Sequence, residues 1–253
     1  MEAKEQSMFK AHFTHFTHFT HFTHFTLLVI SLFFTASCYA DGSAINKIYL
    51  PYVQPLEKEV EYRALFREVE GEKQSQHKLG YGASITENWF AEFYLIGEKT
   101  EEEFIVSNYE AEAILQLTEQ GEFEIDWGMM FELERSANAD DAWEASIGML
   151  AVKNFKKISI AANAFLIREW GKDVMAELEQ AGSVQARYRL LPEFEPGFEL
   201  YKKENEHAAG PVIMGRFKVG SRQKLFWQLG LMFEDSAQGS DEVLQLQLEY
   251  EFL

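Results

Sequence analysis

The chain has a single cysteine, Cys38, and only five prolines in 253 residues. One cysteine closes no intrachain disulfide, so a disulfide-stapled scaffold is excluded and stability must come from packing or from a surrounding membrane. Basic residues are few: 23 Lys and Arg stand against 41 Asp and Glu, a formal charge of −18. That balance lacks the basic surface a nucleic-acid partner needs. Of seven histidines, five lie in one tract and only His77 and His207 stand outside it. Two isolated histidines do not make a metal centre. Beyond residue 40 there is no run of 18 apolar residues, so no transmembrane helix is expected there. Gly-x-Ser-x-Gly and Gly-rich phosphate loops are both absent, and no catalytic residue, cofactor or metal ligand is assigned. What the chain does have is aromatic side chains, 22 Phe, 10 Tyr and 5 Trp, which exclude disorder.

Residues 1–40 read as a secretory signal peptide. Lys4 and Lys10 supply positive charge, Leu27 to Phe34 the hydrophobic stretch, and Ser37-Cys38-Tyr39-Ala40 a small-residue cleavage site after Ala40. Met8 is an alternative start. Lipidation at Cys38 is disfavoured, because Thr35 stands where a lipoprotein signal carries leucine. The His-Phe-Thr repeat from His12 to Thr26 is read as a repeat expanded within the leader, against metal binding as the alternative. Residues 41–56, with Pro51 and Pro55, are assigned as a periplasmic N-terminal segment, with an inward-folded plug as the other option. Residues 57–253 form the main domain.

In that domain apolar residues recur at every second position. Val60-Tyr62-Ala64-Phe66 is the first set. The next begin at Leu79, Trp89, Tyr109, Phe123, Trp143, Ile158, Val184, Phe198, Ile213 and Leu225. The chain closes on Leu244-Leu246-Leu248-Tyr250-Phe252, with Gln245, Gln247, Glu249 and Glu251 between them. The pattern predicts an all-β, up-and-down antiparallel transmembrane β-barrel of about twelve strands. Closure would pair every backbone group, as hydrocarbon demands. A water-soluble sandwich is the alternative, with the apolar face turned inward. Connections such as 86–88 and 220–224 read as tight turns, and those at 71–76, 98–103 and 204–210 as longer loops. Trp89, Trp143 and Trp170 fall near strand ends, where an interfacial girdle places them, whereas Trp127 does not.

The ending LQLQLEYEFL resembles the C-terminal sorting signal of Gram-negative outer-membrane barrels, with Leu253 one residue beyond the aromatic. EYRALF (61–66), HKLGYGASITENWFAEFY (77–94), RYRLLPEFEPGFELY (187–201) and AGPVIMG (209–215) resemble a loosely defined group of bacterial barrels. Some of that group are compared with the outer-membrane transporters of phenol-degradation pathways. The resemblance implies the bacterial outer membrane, a lipid surround, both termini in the periplasm, and assembly by the barrel-assembly machinery through the C-terminal strand. It carries no catalytic motif.

On this register the polar face lines a lumen. Glu110, Glu112, Glu124 and Asp126 crowd the fourth and fifth strands, and Arg63, Arg67, Arg187, Arg189, Arg216 and Lys218 gather on the first, eighth and tenth. Opposed charge across a pore orients and selects small polar solutes. The alternative is an ionic network that plugs the lumen. The expected function is passive passage of small polar or charged solutes through a narrow channel, cations favoured. The runner-up is a closed barrel with a lipid-modifying enzymatic role or a scaffolding role. His77 and His207 are the only candidate bases, and both read as solvated.

Overall fold

A computed structural model of the chain describes residues 44–69, 71–100, 103–137, 142–172, 174–204, 206–236 and 239–253. The expected signal peptide, with the His-Phe-Thr repeat, Met8 and Cys38, lies outside the described residues. The described residues form twelve strands. They are β1 (Lys58–Val69), β2 (Glu72–Ser84), β3 (Trp89–Lys99), β4 (Phe104–Gln116), β5 (Asp126–Ser136) and β6 (Trp143–Phe155). They continue with β7 (Ile158–Gly171), β8 (Val174–Tyr188), β9 (Glu195–Lys203), β10 (Glu206–Lys218), β11 (Lys224–Ser236) and β12 (Gly239–Phe252). Each pairs antiparallel with its neighbours in sequence, and β12 pairs with β1 to close the barrel. At that seam Lys58 lies opposite Phe252 and Phe66 opposite Leu244.

The two faces are inverted relative to a water-soluble barrel. Leu79, Phe93, Leu166 and Leu244 point outward and are 52%, 52%, 48% and 47% exposed. Glu61, Glu112 and Glu199 point inward and are buried. Exposed apolar area this continuous is stable only against an apolar surround. Tryptophans mark both rims. Trp143 and Trp170 stack at one end, with ring centroids 6.5 Å apart. At the other end Trp89 stacks on Phe131 and Trp227 on Phe217. Trp127, expected away from the rim, is the second residue of β5, because the turn before it runs to residue 125.

The loop lengths differ from expectation. The segments read as longer loops are largely strand: β2 begins at Glu72, β10 at Glu206 and β12 at Gly239. Polar runs such as Lys73-Gln74-Ser75-Gln76 read as loop from sequence because neither face is apolar. They are strand carried past the apolar band, where both faces are wet. Of the longer connections, those at 117–125, 189–194 and 219–223 lie at the end where β1 starts and β12 finishes, the terminus end, and that at 137–142 lies at the opposite, hairpin end.

Residues 44–56, assigned from sequence as a periplasmic segment, lie inside the barrel. Ile45 packs among Tyr201, Val212, Met214, Met232 and Val243. Tyr49 and Val53 pack among Phe90, Ile114, Met130 and Leu150. Ala44 N–H donates to Glu234 near the hairpin end (3.1 Å), and Val53 N–H donates to Gln116 at the terminus end (2.8 Å). At no more than about 3.6 Å per residue, an extended chain of this length roughly matches a bilayer core. Ala44 and Leu253 therefore lie toward opposite ends of the barrel.

Glycines on β2 make room for this interior. A Cβ at Gly80 would fall 2.2 Å from the Tyr94 ring, and one at Gly82 would fall 2.5 Å from Phe90 and Glu92. Gly80→Val should cost about 1–3 kcal/mol through overpacking. It should lower the temperature at which the folded gel band converts to the unfolded one, and an unchanged temperature would refute the packing role.

A second expectation concerns Glu57, just ahead of β1. Burial, then the charge of Glu251, push its carboxyl up to about 7, against the pull of Lys224. A carboxyl raised on folding holds its proton more tightly when folded. Its contribution is therefore full below about pH 4.3 and is lost as pH climbs toward about 7. Glu57→Gln should flatten the decline of the denaturation midpoint across that window. An unaltered slope would remove Glu57 from the account.

Candidate functional site

The site is the lumen, and its centre is an ionic network built by alternation. Inward positions on β1 deliver Glu59, Glu61 and Arg63; β2 delivers Lys78; β3 delivers Glu92 and Tyr94; β4 delivers Glu110 and Glu112. Arg63 Nε lies 2.6 Å from Glu61, and its Nη2 lies 3.5 Å from Glu112. Lys78 pairs with Glu110 and lies 3.3 Å from Glu112. Both cations stand over the Tyr94 ring, at 4.8 and 4.6 Å from its centroid. Tyr94 OH donates to Glu61 at 3.2 Å. Cation–π contacts of this kind strengthen when water is excluded.

The N-terminal segment completes the network. Lys47 pairs with Glu61, and Tyr49 OH donates to Glu112 at 2.6 Å. Asn163 grips the Tyr49 backbone from both sides: its Oδ1 accepts from Tyr49 N–H (2.8 Å) and its Nδ2 donates to Tyr49 C=O (2.9 Å). One side-chain amide thereby satisfies a buried peptide that has no ladder partner. Tyr52 OH donates to Asp126 at 2.6 Å. A separate network on β8 to β11 surrounds Glu199, which accepts from Gln185 (2.6 Å), Gln228 (3.0 Å) and Tyr201 (2.7 Å).

Two cavities flank the segment. One, about 370 Å³, lies toward the hairpin end and is strongly acidic, with Glu98, Glu134, Glu144 and Glu169 on its wall. The other, about 810 Å³, lies at the terminus end and is basic, with Arg187, Arg189, Arg216, Lys218 and Lys224. Charge is therefore separated along the barrel axis, not only across it.

Residues singled out from sequence fall into separate places. Arg187, Arg189, Arg216 and Lys218 come together at the basic cavity. Arg63, Glu110 and Glu112 meet in the central network. Arg63 is thus enclosed by acid rather than grouped with the other cations. Arg67 lies 3.6 Å from Glu234, towards the hairpin end. Asp126 is buried beside Tyr52. Glu124 does not line the lumen: it sits in the turn before β5, its side chain 90% exposed and 3.1 Å from Lys153. The strand pattern was extended too far back, through Phe123 and Ile125, which lie in that turn.

Sequence reasoning missed the apolar inner positions that receive the segment, Met130, Leu150, Met214 and Met232. Their signal was available. Met129-Met130-Phe131, Met149-Leu150-Ala151 and Leu231-Met232-Phe233 are unbroken apolar runs, so both faces of the strand are apolar there. The candidate bases fall outside the lumen. His77 is within β2 on the outer face, its ring 2.7 Å from Tyr62 OH and 3.0 Å from Ser75 Oγ. His207 is exposed on β10.

Tyr49→Phe should remove one donor from buried Glu112 and destabilise the seated segment by about 1–3 kcal/mol. Faster protease cleavage within residues 44–56, with the barrel band intact, is the expected result. Unchanged cleavage would place the hold on the segment elsewhere.

No protein-family model matches the chain, and no curated protein matches it in sequence. Solved structures match in fold. The KdgM porin in complex with disordered oligogalacturonate is 10% identical, with 77% of this chain and 98% of that chain covered, at a TM-score of 0.51. An outer membrane channel from Pseudomonas putida F1 is 13% identical, with 81% and 97% covered, at a TM-score of 0.52. The β domain of the Bordetella autotransporter BrkA is 10% identical, with 78% and 99% covered, at a TM-score of 0.52. Identities this low speak to architecture alone: the chain has the closed, antiparallel, all-β barrel fold of outer-membrane porins and channels.

Proposed function

We propose that the protein is an outer-membrane channel for small charged solutes, closed in this conformation by its own residues 44–56. One observation carries the reading. The lumen is wide enough to hold an extended chain, and that chain is gripped by side chains instead of being stitched into the sheet. A ladder strand would be a permanent wall, whereas a segment held by a few polar contacts can leave. A packed eight-strand barrel has no such space. The outward apolar band and the rim tryptophans support a lipid surround.

The bacterial outer membrane follows on this reading. The start of β1 and the end of β12 face the periplasm, and β12 is the strand offered to the barrel-assembly machinery. The resemblance to phenol-pathway transporters names no solute. The charged interior favours charged cargo over a neutral aromatic one. The acidic surplus favours cations, and an anion preference in a bi-ionic potential would count against that. A non-enzymatic role is part of this reading, with His77 and His207 both on the outer face.

The test is single-channel current in planar bilayers from protein extracted in its folded form. A Cβ at Gly128 would fall 2.7 Å from Pro51 Cβ, so Gly128→Val should unseat the segment. Brief openings in the parent protein should lengthen severalfold in this variant. Folded protein that stays silent in both forms would overturn the channel reading. Arg187→Gln should shift ion selectivity, and Glu124→Gln, outside the lumen, should not.

A further inference from the structure

The acidic surplus of the interior converges on one ammonium group. Lys47 Nζ is paired with Glu61 and lies 3.5 Å from Glu249. Carboxylate oxygens of Glu59, Glu61 and Glu249 lie within 4.8 Å of one another. Glu92 stands beside Glu59. It is 5% exposed, and its Oε1 has no hydrogen-bond partner among the described residues. Arg63 also reaches Glu61, but it is shared with Glu112. Buried carboxylates without counter-charge are costly and take up a cation or a proton. Apart from Arg63 at Glu61, the cation here does not come from the wall. The four carboxylates belong to β1, β3 and β12, whereas Lys47 arrives on the segment that fills the lumen.

Taking the lumen as a solute path, as proposed above, we propose that Glu59, Glu61, Glu92 and Glu249 form a binding station for primary-ammonium solutes, occupied in this structure by Lys47 as a tethered competitor. The fit is to an alkylammonium rather than to a metal ion. Lys47 shows that a methylene chain ending in an ammonium group reaches the cage, and its Nζ lies 5.6 Å from the centroid of the Tyr49 ring. A divalent cation needs about six or more oxygen ligands at close range and gains nothing from an aromatic face. The acidic cavity of about 370 Å³, lined by Asn46, Lys47 and Arg63 and extending to Glu144 and Glu169, stops at Lys47 short of the four carboxylates, so removing the Lys47 side chain opens the approach to them. A solute entering from the hairpin end passes Glu98, Glu134, Glu144 and Glu169, with Lys78 and Lys203 on the same wall, and ends at Lys47.

The experiment is calorimetric titration of 1,4-diaminobutane into protein expressed from its full coding sequence and extracted in detergent. Lys47→Ala should bind the diamine at least tenfold more tightly than the parent. Adding Glu92→Gln or Glu249→Gln to Lys47→Ala should remove that gain while the heat-shifted folded band persists. Glu92→Gln is the gentler second change: its Oε1 has no partner to lose, and a glutamine amide can keep the side-chain hydrogen bond to Glu59. A folded Lys47→Ala protein with no gain, a gain that survives both glutamine changes, or tighter binding of Ca²⁺ than of the diamine would each overturn the proposal. Binding in micelles requires no current. Conducting protein without the diamine gain therefore sinks this inference alone, and diamine gain in silent protein sinks the channel reading alone.

Discussion

Pairing of β12 with β1 is the constraint on which the rest depends. It leaves no strand edge, so backbone groups around the wall are satisfied within the sheet. Once the ring is closed, every second side chain must point into it. The apolar set is committed to the outside, and the charged set is confined to a space with little water. The interior must then neutralise what the alternation places there.

Arg63 and Lys78 do part of this from the wall, both over the Tyr94 ring and shared among Glu61, Glu110 and Glu112. They are outnumbered. Residues 44–56 add to this, bringing Lys47 to Glu61 and placing Ile45, Tyr49 and Val53 in two apolar recesses of the wall. One segment thus closes the path and balances the charge. Breaking a buried pair of this sort leaves an uncompensated charge and costs about 3–5 kcal/mol. Exchanging one cation for another avoids that cost, so a charged plug can be seated firmly and still be displaced.

The axial separation of charge also arises from topology. Arg187, Arg216 and Lys218 lie late on β8 and β10, and Arg189 just beyond β8, all at the terminus end, while Glu134, Glu144 and Glu169 lie on strands whose residues at those positions reach the hairpin end. Sequence reading sets acid such as Glu110 and Glu112 on one wall against Arg187, Arg189, Arg216 and Lys218 on another, because strand number is legible in the pattern and height along the axis is not. Height depends on where each strand begins, and that was misjudged wherever polar strand ends looked like loop.

The sequence by itself determined the strand number, the antiparallel order and which face of each strand is apolar. Those features depend on a period of two that one residue's slip would destroy. The Tyr250 and Phe252 rim and the closing role of β12 were legible for the same reason. Only the tertiary structure decided what occupies the lumen. Residues 44–56 show no period, and their contacts reach Asn163, Glu112 and Glu234, far along the chain. Such contacts depend on the diameter of the closed ring and on side chains from many strands meeting at one height. Local pattern carries neither quantity.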